Sequence, residues 1–261
     1  MDRLNGKVAV VTGGARGIGR AISLRFARDG ADIVTADVNL AGAESVADKV
    51  RSLGRSAIAR QVDVTDEQQV DGLFADAAAE FGHVDIAVAN AGIMIIGPMI
   101  DTAVADWQRV FDVNVTGVWL TCKSAAKQMI AQGGGGKIIL AASQAGKVGS
   151  TRFTGAYSVT KHAVVGITRS LALELAKHQI NVNAYCPGIV DTEMWDQIDR
   201  EAGALIGFKV GELKDLATGA IPLGRIQVPE DVSNLVSFLA SSDSDYMTGQ
   251  AVNVTGGNVM H

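Results

Sequence analysis

The chain has 261 residues, 48% of them hydrophobic, and a formal net charge of −5. That length and apolar share allow a sizeable buried core, and the acidic balance, with no two Lys or Arg side by side, offers no footprint for nucleic acid. No apolar stretch is long enough to span a bilayer, and the start, MDRLNGKVAVVTG, shows no cationic leader, so a cytoplasmic protein that does not engage membrane is expected.

The first predicted element lies in KVAVVTGGARGIGR, residues 7–20. A β-branched run from Val8 to Val11 ends in Gly13, Gly14, Gly17 and Gly19. Ile18, Ile22, Leu24 and Phe26 then follow a helical period. A strand, a glycine turn and a helix N-terminus suit an anion such as a phosphate, because backbone N–H groups can approach it and the helix dipole favours it. The spacing is Thr-Gly-x-x-x-Gly-x-Gly and departs from the standard dinucleotide fingerprint. The next apolar run, ADIVTAD, ends at Asp37, where a second parallel strand presents an acid to adenosine ribose hydroxyls. A carboxylate there repels a 2′-phosphate and favours NAD over NADP. Arg16, inside the glycine loop, argues the other way by offering that phosphate a charge.

Apolar runs alternate with helical patterns along the remaining chain, predicting strands over 7–12, 31–37, 56–63, 84–90, 136–142, 180–186 and 250–254. The pattern predicts an α/β fold, a single domain over 1–261. It is a Rossmann-like doubly wound sheet of seven mostly parallel strands with helices on both faces. Val8, Val10, Ile33, Val34, Ile86, Val88, Ile138, Ile139, Val182, Ala184 and Val252 should form its core. Gly133 to Gly136 looks like a phosphate loop, but a strand follows it rather than a helix, so it reads as a connector. Cys122 and Cys186 read as small buried apolar residues, and the four histidines show no metal-ligand spacing, so no metal is expected.

Tyr157 and Lys161 stand four residues apart in AYSVTKHAVVGITRSLALELA, which places them on one helix face. An ammonium beside a phenol stabilises the phenolate and is expected to bring proton exchange nearer neutrality. Ser143, at the end of KIILAAS, could hold an oxygen of the reacting molecule.

With these residues in hand the chain resembles the short-chain dehydrogenase/reductase family over nearly its whole length. The resemblance rests on Thr12-Gly13-x-x-x-Gly17-x-Gly19, Asp63-Val64, Asn90-Ala91-Gly92, Asn114, Ser143, Tyr157-x-x-x-Lys161 and Pro187-Gly188-x-x-x-Thr192. It implies an enzyme with Tyr157 as general acid/base and Ser143 holding the substrate oxygen. Lys161 would bind the nicotinamide ribose and lower the tyrosine pKa, and Asn114 would support a proton-relaying water. It further implies a dinucleotide on Gly13, Arg16, Gly17, Ile18, Gly19 and Asp37, with Asp63 and Val64 at the adenine. Asn90, Ala91 and Gly92 would lie along the nicotinamide ribose, and Pro187, Gly188, Val190 and Thr192 near the carboxamide and pyrophosphate. Two departures stand out: Ala89 replaces an Asn common in the family, and the Ser143–Tyr157 segment is one residue longer than usual, with the insertion near Ser150 to Thr154.

Ligands of such sheets collect beyond the carboxyl ends of the strands, which points to residues 91–100, 144–154 and 189–220 as the pocket wall. The last segment carries Met194, Trp195, Leu205, Ile206 and Phe208 among glycines, and reads either as a closing lid or as a rigid helical subdomain. Gln144 either reaches a second substrate oxygen or bonds a neighbouring loop. The combination of Ser143-Gln144-Ala145-Gly146 with Met194-Trp195 resembles the branch of the family that handles polyols, acetoin and vicinal diols. The expected reaction is NAD-dependent hydride transfer at a small secondary alcohol or ketone. Reduction of a 3-oxoacyl thioester on a carrier protein and oxidation of a steroid or dihydrodiol ring alcohol are the alternatives. Family members are often tetramers. The apolar residues Val164, Val165, Leu171 and Leu173 on the Tyr157 helix permit a partner subunit, so a homo-oligomer is expected.

Overall fold

The computed structural model describes residues 3–149 and 153–261. Seven strands form one sheet: β1 (Val8–Thr12), β2 (Asp32–Asp37), β3 (Ala57–Gln61), β4 (Ile86–Ala89), β5 (Gly136–Ala141), β6 (Ile180–Pro187) and β7 (Ala251–Val254). Their order is β3-β2-β1-β4-β5-β6-β7 and every pairing is parallel. Parallel neighbours need long crossovers, and helices supply them. These are α1 (Gly17–Arg28), α2 (Leu40–Ser52), α3 (Glu67–Phe81), α4 (Val104–Phe111), α5 (Val118–Gln132), α6 (Gly155–Leu175), α7 (Glu193–Leu205), α8 (Glu212–Gly219) and α9 (Pro229–Ala240).

Alternate residues of each central strand serve opposite faces. Val10, Ala87, Ile138 and Leu140 join one core with Val70 and Phe74 of α3, Met129 of α5 and Val164 of α6. Ala9, Val11, Ile86, Val88 and Ile139 join the other with Ile22 and Phe26 of α1, Val50 of α2 and Val236 of α9. Sheet growth reverses between β1 and β4. Both strands end at that switch point, where an open α/β sheet leaves a crevice.

The strands are shorter than the apolar runs suggest. The third stops at Gln61; Asp63 then turns the chain by accepting from the Thr65 N–H and hydroxyl, and Asp66 caps α3 by accepting from the N–H groups of Gln68 and Gln69. The fourth starts at Ile86, since the Asp85 carboxylate instead takes the Val8 N–H and the Lys7 ammonium. All the expected core residues are buried except Val252, which is half-buried because β7 is an edge strand with a neighbour on one side only. Residues 189–220 contain α7 and α8, packed together through Phe208 and Leu213 against Gly203. The apolar face expected on the Tyr157 helix faces its own core: Val164 and Val165 are buried there, Leu171 packs against it, and Leu173 is 84% exposed. Most of the insertion near Ser150 to Thr154 lies outside the described residues.

Candidate active site

The glycine loop is built for close approach. Gly13 and Gly17 hold φ of +62° and +50°, in the region that penalises a side chain. A Cβ on Gly19 would stand 2.1 Å from the Gly13 carbonyl oxygen. Arg16, the residue capping α1, makes no side-chain bond to the helix, and among the described residues no side chain is bonded to the first-turn N–H groups. A bare helix N-terminus behind a turn that only glycine can form fits a phosphate-bearing group. Asp37, at the end of β2, accepts from the N–H groups of Ala15 at 3.1 Å and Asn39 at 3.0 Å. Arg16 forms an ion pair with Glu193 at the start of α7, which joins the loop to the opposite wall.

A partly buried polar chain ties the end of β4 and β6 to the loop. Asn90 donates to the carbonyls of Thr12 at 3.1 Å and Gly13 at 2.9 Å, and accepts from the Tyr185 hydroxyl at 2.8 Å. Thr12 Oγ1 accepts from the N–H of Asn90 at 3.2 Å. The side chain of Asn90 therefore holds the scaffold, and the segment Asn90–Gly92 lines the cleft. Farther along, Asp63 accepts from both the N–H and the hydroxyl of Thr65, while Val64 is buried against Gly117.

Tyr157 and Lys161 lie one turn apart on α6, both buried, with the lysine Nζ 5.4 Å from the phenol ring centroid. Lys161 Nζ donates to the Ala141 carbonyl at 2.7 Å, at the end of β5. Gly146 makes room for this helix, since a Cβ there would meet the Lys161 carbonyl oxygen at 2.5 Å. Ser143 follows β5 and its Oγ accepts from the Ala145 N–H at 3.1 Å. The expected shift of Tyr157 toward neutrality is not what the protein alone produces. Burial pushes the phenol up to about 12, although the Ser143 hydroxyl, a donor to the phenolate, pulls against it. Burial also lowers Lys161 to about 8. Desolvation outweighs the pairing because each charge is removed from water and the ammonium is turned to a backbone carbonyl.

Asn114 sits in a π-helical turn, Asp112–Gly117, between α4 and α5. Its amide is fully buried, accepting from the Ile93 N–H at 2.8 Å and donating to the Ile93 carbonyl at 2.9 Å and to Thr160 at 3.1 Å. Alone among the expected site residues, it does not line the cleft. It lies behind Gly92, whose missing side chain leaves a gap between Asn114 Oδ1 and Lys161 Nζ, at 3.3 and 3.5 Å from the point a Cβ would occupy.

Every other expected cofactor, catalytic and substrate residue lines one cleft of about 1480 Å³. Gln144, next to Ser143, and Met194 and Trp195, in the first turn of α7, are among its lining residues. Sequence reasoning missed Tyr185, which lies inside β6 and looks like core. It also missed Arg109 on α4, and Asn258 and Val259 after β7. The rule that ligands gather beyond strand ends applies to β7 as well and would have found the last two. Among the described residues no cluster of His, Cys, Asp or Glu could hold a metal ion. Both cysteines are buried and unpaired, with thiols pushed up by burial.

A dinucleotide-type glycine loop facing a phenol, an ammonium and a hydroxyl defines the class of nicotinamide-dependent oxidoreductases acting on alcohols. Residues 13–258 match a family model described as enoyl-(acyl carrier protein) reductase. Galactitol 2-dehydrogenase from Agrobacterium fabrum is 43% identical, with 99% of each chain covered. L-2,3-butanediol dehydrogenase from Corynebacterium glutamicum is 44% identical over 96% of this chain and 98% of that one. The crystal structure of carveol dehydrogenase from Mycobacterium avium in complex with NAD superposes with a TM-score of 0.92, at 34% identity and 99% coverage of both chains. The chain belongs to the short-chain dehydrogenase/reductase family.

Proposed function

We propose that this enzyme is an NAD-dependent dehydrogenase of small polyols and vicinal diols, working also as a reductase of the matching hydroxyketones. The observation that carries the reading is the convergence of Ser143, Tyr157 and Lys161 on the cleft that the glycine loop opens. The similarity to galactitol and butanediol dehydrogenases supports the substrate class.

The glycine loop, Asp37, Asp63, Val64, Asn90–Gly92, Lys161 and the stretch Pro187–Thr192 would hold the dinucleotide. When bound, it supplies or accepts the hydride. Asp37 supports NAD as the partner, as does the engagement of Arg16 by Glu193, which leaves less positive charge for a 2′-phosphate. Ser143 Oγ holds the reacting substrate oxygen by hydrogen bonding. Tyr157 takes the alcohol proton during oxidation and returns it during reduction. Because burial alone holds the phenol near 12, the proton must leave through a charge-stabilised path, and the Lys161 ammonium is the nearby cation. Asn114 fixes the Ile93 backbone and the Gly92 gap beside that ammonium, a place for a relaying water.

Gln144 offers its amide to a second substrate oxygen, and Met194 and Trp195 on α7 cap the cleft against long chains. Residues 189–220 act as the lid, with Lys214 joining α8 to Asp191 and Asp196. Cytoplasmic location and homo-oligomeric assembly, as dimer or tetramer, complete the reading. The two free cysteines suit a reducing compartment, and exposed Val104, Trp119 and Leu173 on α4–α6 suit subunit contact.

The test is a panel of vicinal diols, polyols, hydroxyketones, simple alcohols and a 3-oxoacyl thioester, followed by NADH absorbance. The highest kcat/KM should fall on a small diol or polyol. A preference for the acyl thioester would instead support the carrier-protein chemistry that describes the family model.

A further inference from the structure

One end of the Gln144 amide is already committed. Asn258 Nδ2 donates to Gln144 Oε1 at 3.0 Å. The same oxygen lies beside Gly188, 3.4 Å from the point a Cβ there would occupy. No side-chain or backbone acceptor among the described residues takes the Gln144 Nε2 protons. Both residues line the cleft.

Asn258 is held where it can do this. It follows Gly256 and Gly257, whose φ values of +62° and +92° turn the chain back after β7. Neither glycine has room for a side chain: a Cβ would meet Ile221 Cγ2 at 2.7 Å or Pro222 Cβ at 3.0 Å. Asn258 N–H donates to the Thr255 carbonyl at 3.2 Å, and Thr255 Oγ1 donates to the Val259 carbonyl at 2.9 Å. Asn253 Nδ2 donates to the same Val259 carbonyl at 3.2 Å. The Asn258 side chain thus leaves a pinned turn.

We propose that Asn258 is a positioning residue for substrate selection. By donating to Gln144 Oε1 it fixes the amide with Nε2 toward the substrate, so that the cleft favours molecules bearing an acceptor oxygen beside the reacting carbon. The inference rests on the reading of Gln144 given above. A primary amide carries one acceptor end and one donor end. With the oxygen end held by Asn258, the N–H end of the amide is the one left to turn to the ligand. A hydroxyl or a carbonyl oxygen satisfies it, whereas a mono-alcohol has no second oxygen and leaves it unused.

Polarity inversion tests this. Asn258→Asp is nearly isosteric, but a carboxylate only accepts, so it captures Nε2 and turns Oε1 to the substrate. Asn258→Ala merely releases the amide. With butane-2,3-diol as probe, kcat/KM should fall about tenfold in Asn258→Asp, and less in Asn258→Ala, while butan-2-ol changes by no more than about twofold. NADH dissociation constants, read by fluorescence, should stay unchanged in Asn258→Ala. Gln144→Ala is the control arm. If it penalises the diol selectively and both Asn258 variants do not, the positioning inference falls and the reading of Gln144 stands. If Gln144→Ala lowers both substrates by one factor, both fall. Equal loss on diol and mono-alcohol in the Asn258 variants, with a lowered melting temperature, would mark Asn258 as a pin of the chain turn and overturn the inference.

Discussion

The polar chain from Tyr185 to the glycine loop makes a specific demand on Tyr185→Phe. The change removes one oxygen from a ring that is 0% exposed and leaves the ring volume intact. Asn90 Oδ1 then loses its 2.8 Å donor at a partly buried position on the cleft wall. An unsatisfied buried acceptor costs about 1–3 kcal/mol, and partial burial places Asn90 toward the lower end of that range. For a chain of this size each kcal/mol lowers the melting temperature by roughly 2–4 °C, so a fall of a few degrees is expected. The second consequence follows from what else Asn90 does. It grips the Gly13 carbonyl, so a loosened Asn90 loosens the loop that would receive the phosphates. If the loop takes up the whole penalty, NADH affinity drops about tenfold for every 1.4 kcal/mol. Thermal unfolding with and without NADH, together with a fluorescence titration, measures both effects. At saturating cofactor, kcat should change little. A lowered melting temperature with unchanged NADH affinity would refute the idea that this chain of bonds shapes the loop, and an unchanged melting temperature would refute the bond's contribution altogether.

Matched assays should give NAD a kcat/KM at least about tenfold above NADP, the equivalent of one lost charge-assisted hydrogen bond, and Asp37→Ala should narrow that gap. Glu193→Gln should narrow it further by releasing Arg16; equal use of both cofactors by the unmutated enzyme would show that Arg16 prevails over Asp37. Burial holds the Lys161 pKa at about 8 in the free protein, and a ligand accepting from the ammonium raises it in the complex. NADH affinity should therefore be full below pH 8 and decline by up to about tenfold per pH unit above it. Lys161→Ala should weaken binding and flatten that profile; a flat profile in the unmutated protein would contradict the assignment of Lys161 to the cofactor.

Much of this architecture can be read from local pattern. Short β-branched runs separated by helical periods lead to a parallel doubly wound sheet, and a glycine turn between Val11 and Ile18 locates its crevice. What local pattern does not carry is long-range polar bonding. Tyr185 sits in a strand whose pattern, INVNAYCP, gives no sign of a distant partner, and only the register of β6 beside β5, two strands from β4, brings its hydroxyl to Asn90. Asn258 lies far along the chain from Gln144 and meets it because β7 pairs with β6 and the following glycines turn back. Burial is non-local in the same way. The spacing of Tyr157 and Lys161 promised a phenol shifted toward neutrality, but the surrounding packing removes both groups from water and raises the phenol instead. Val252 failed as a core residue because a β-branched residue reads alike in a central and an edge strand.

The central claim, that Tyr157 transfers the proton in a cleft built for a nicotinamide and a small diol, is tested most directly by Tyr157→Phe. NADH formation from the preferred diol should be measured at saturating NAD, beside an NADH titration of the same preparation. A fall in kcat of about 10²-fold or more with NADH affinity nearly unchanged is the predicted result. Turnover within a few-fold of the unmutated enzyme would contradict the assignment of Tyr157 and, with it, the proton path through Ser143 and Lys161.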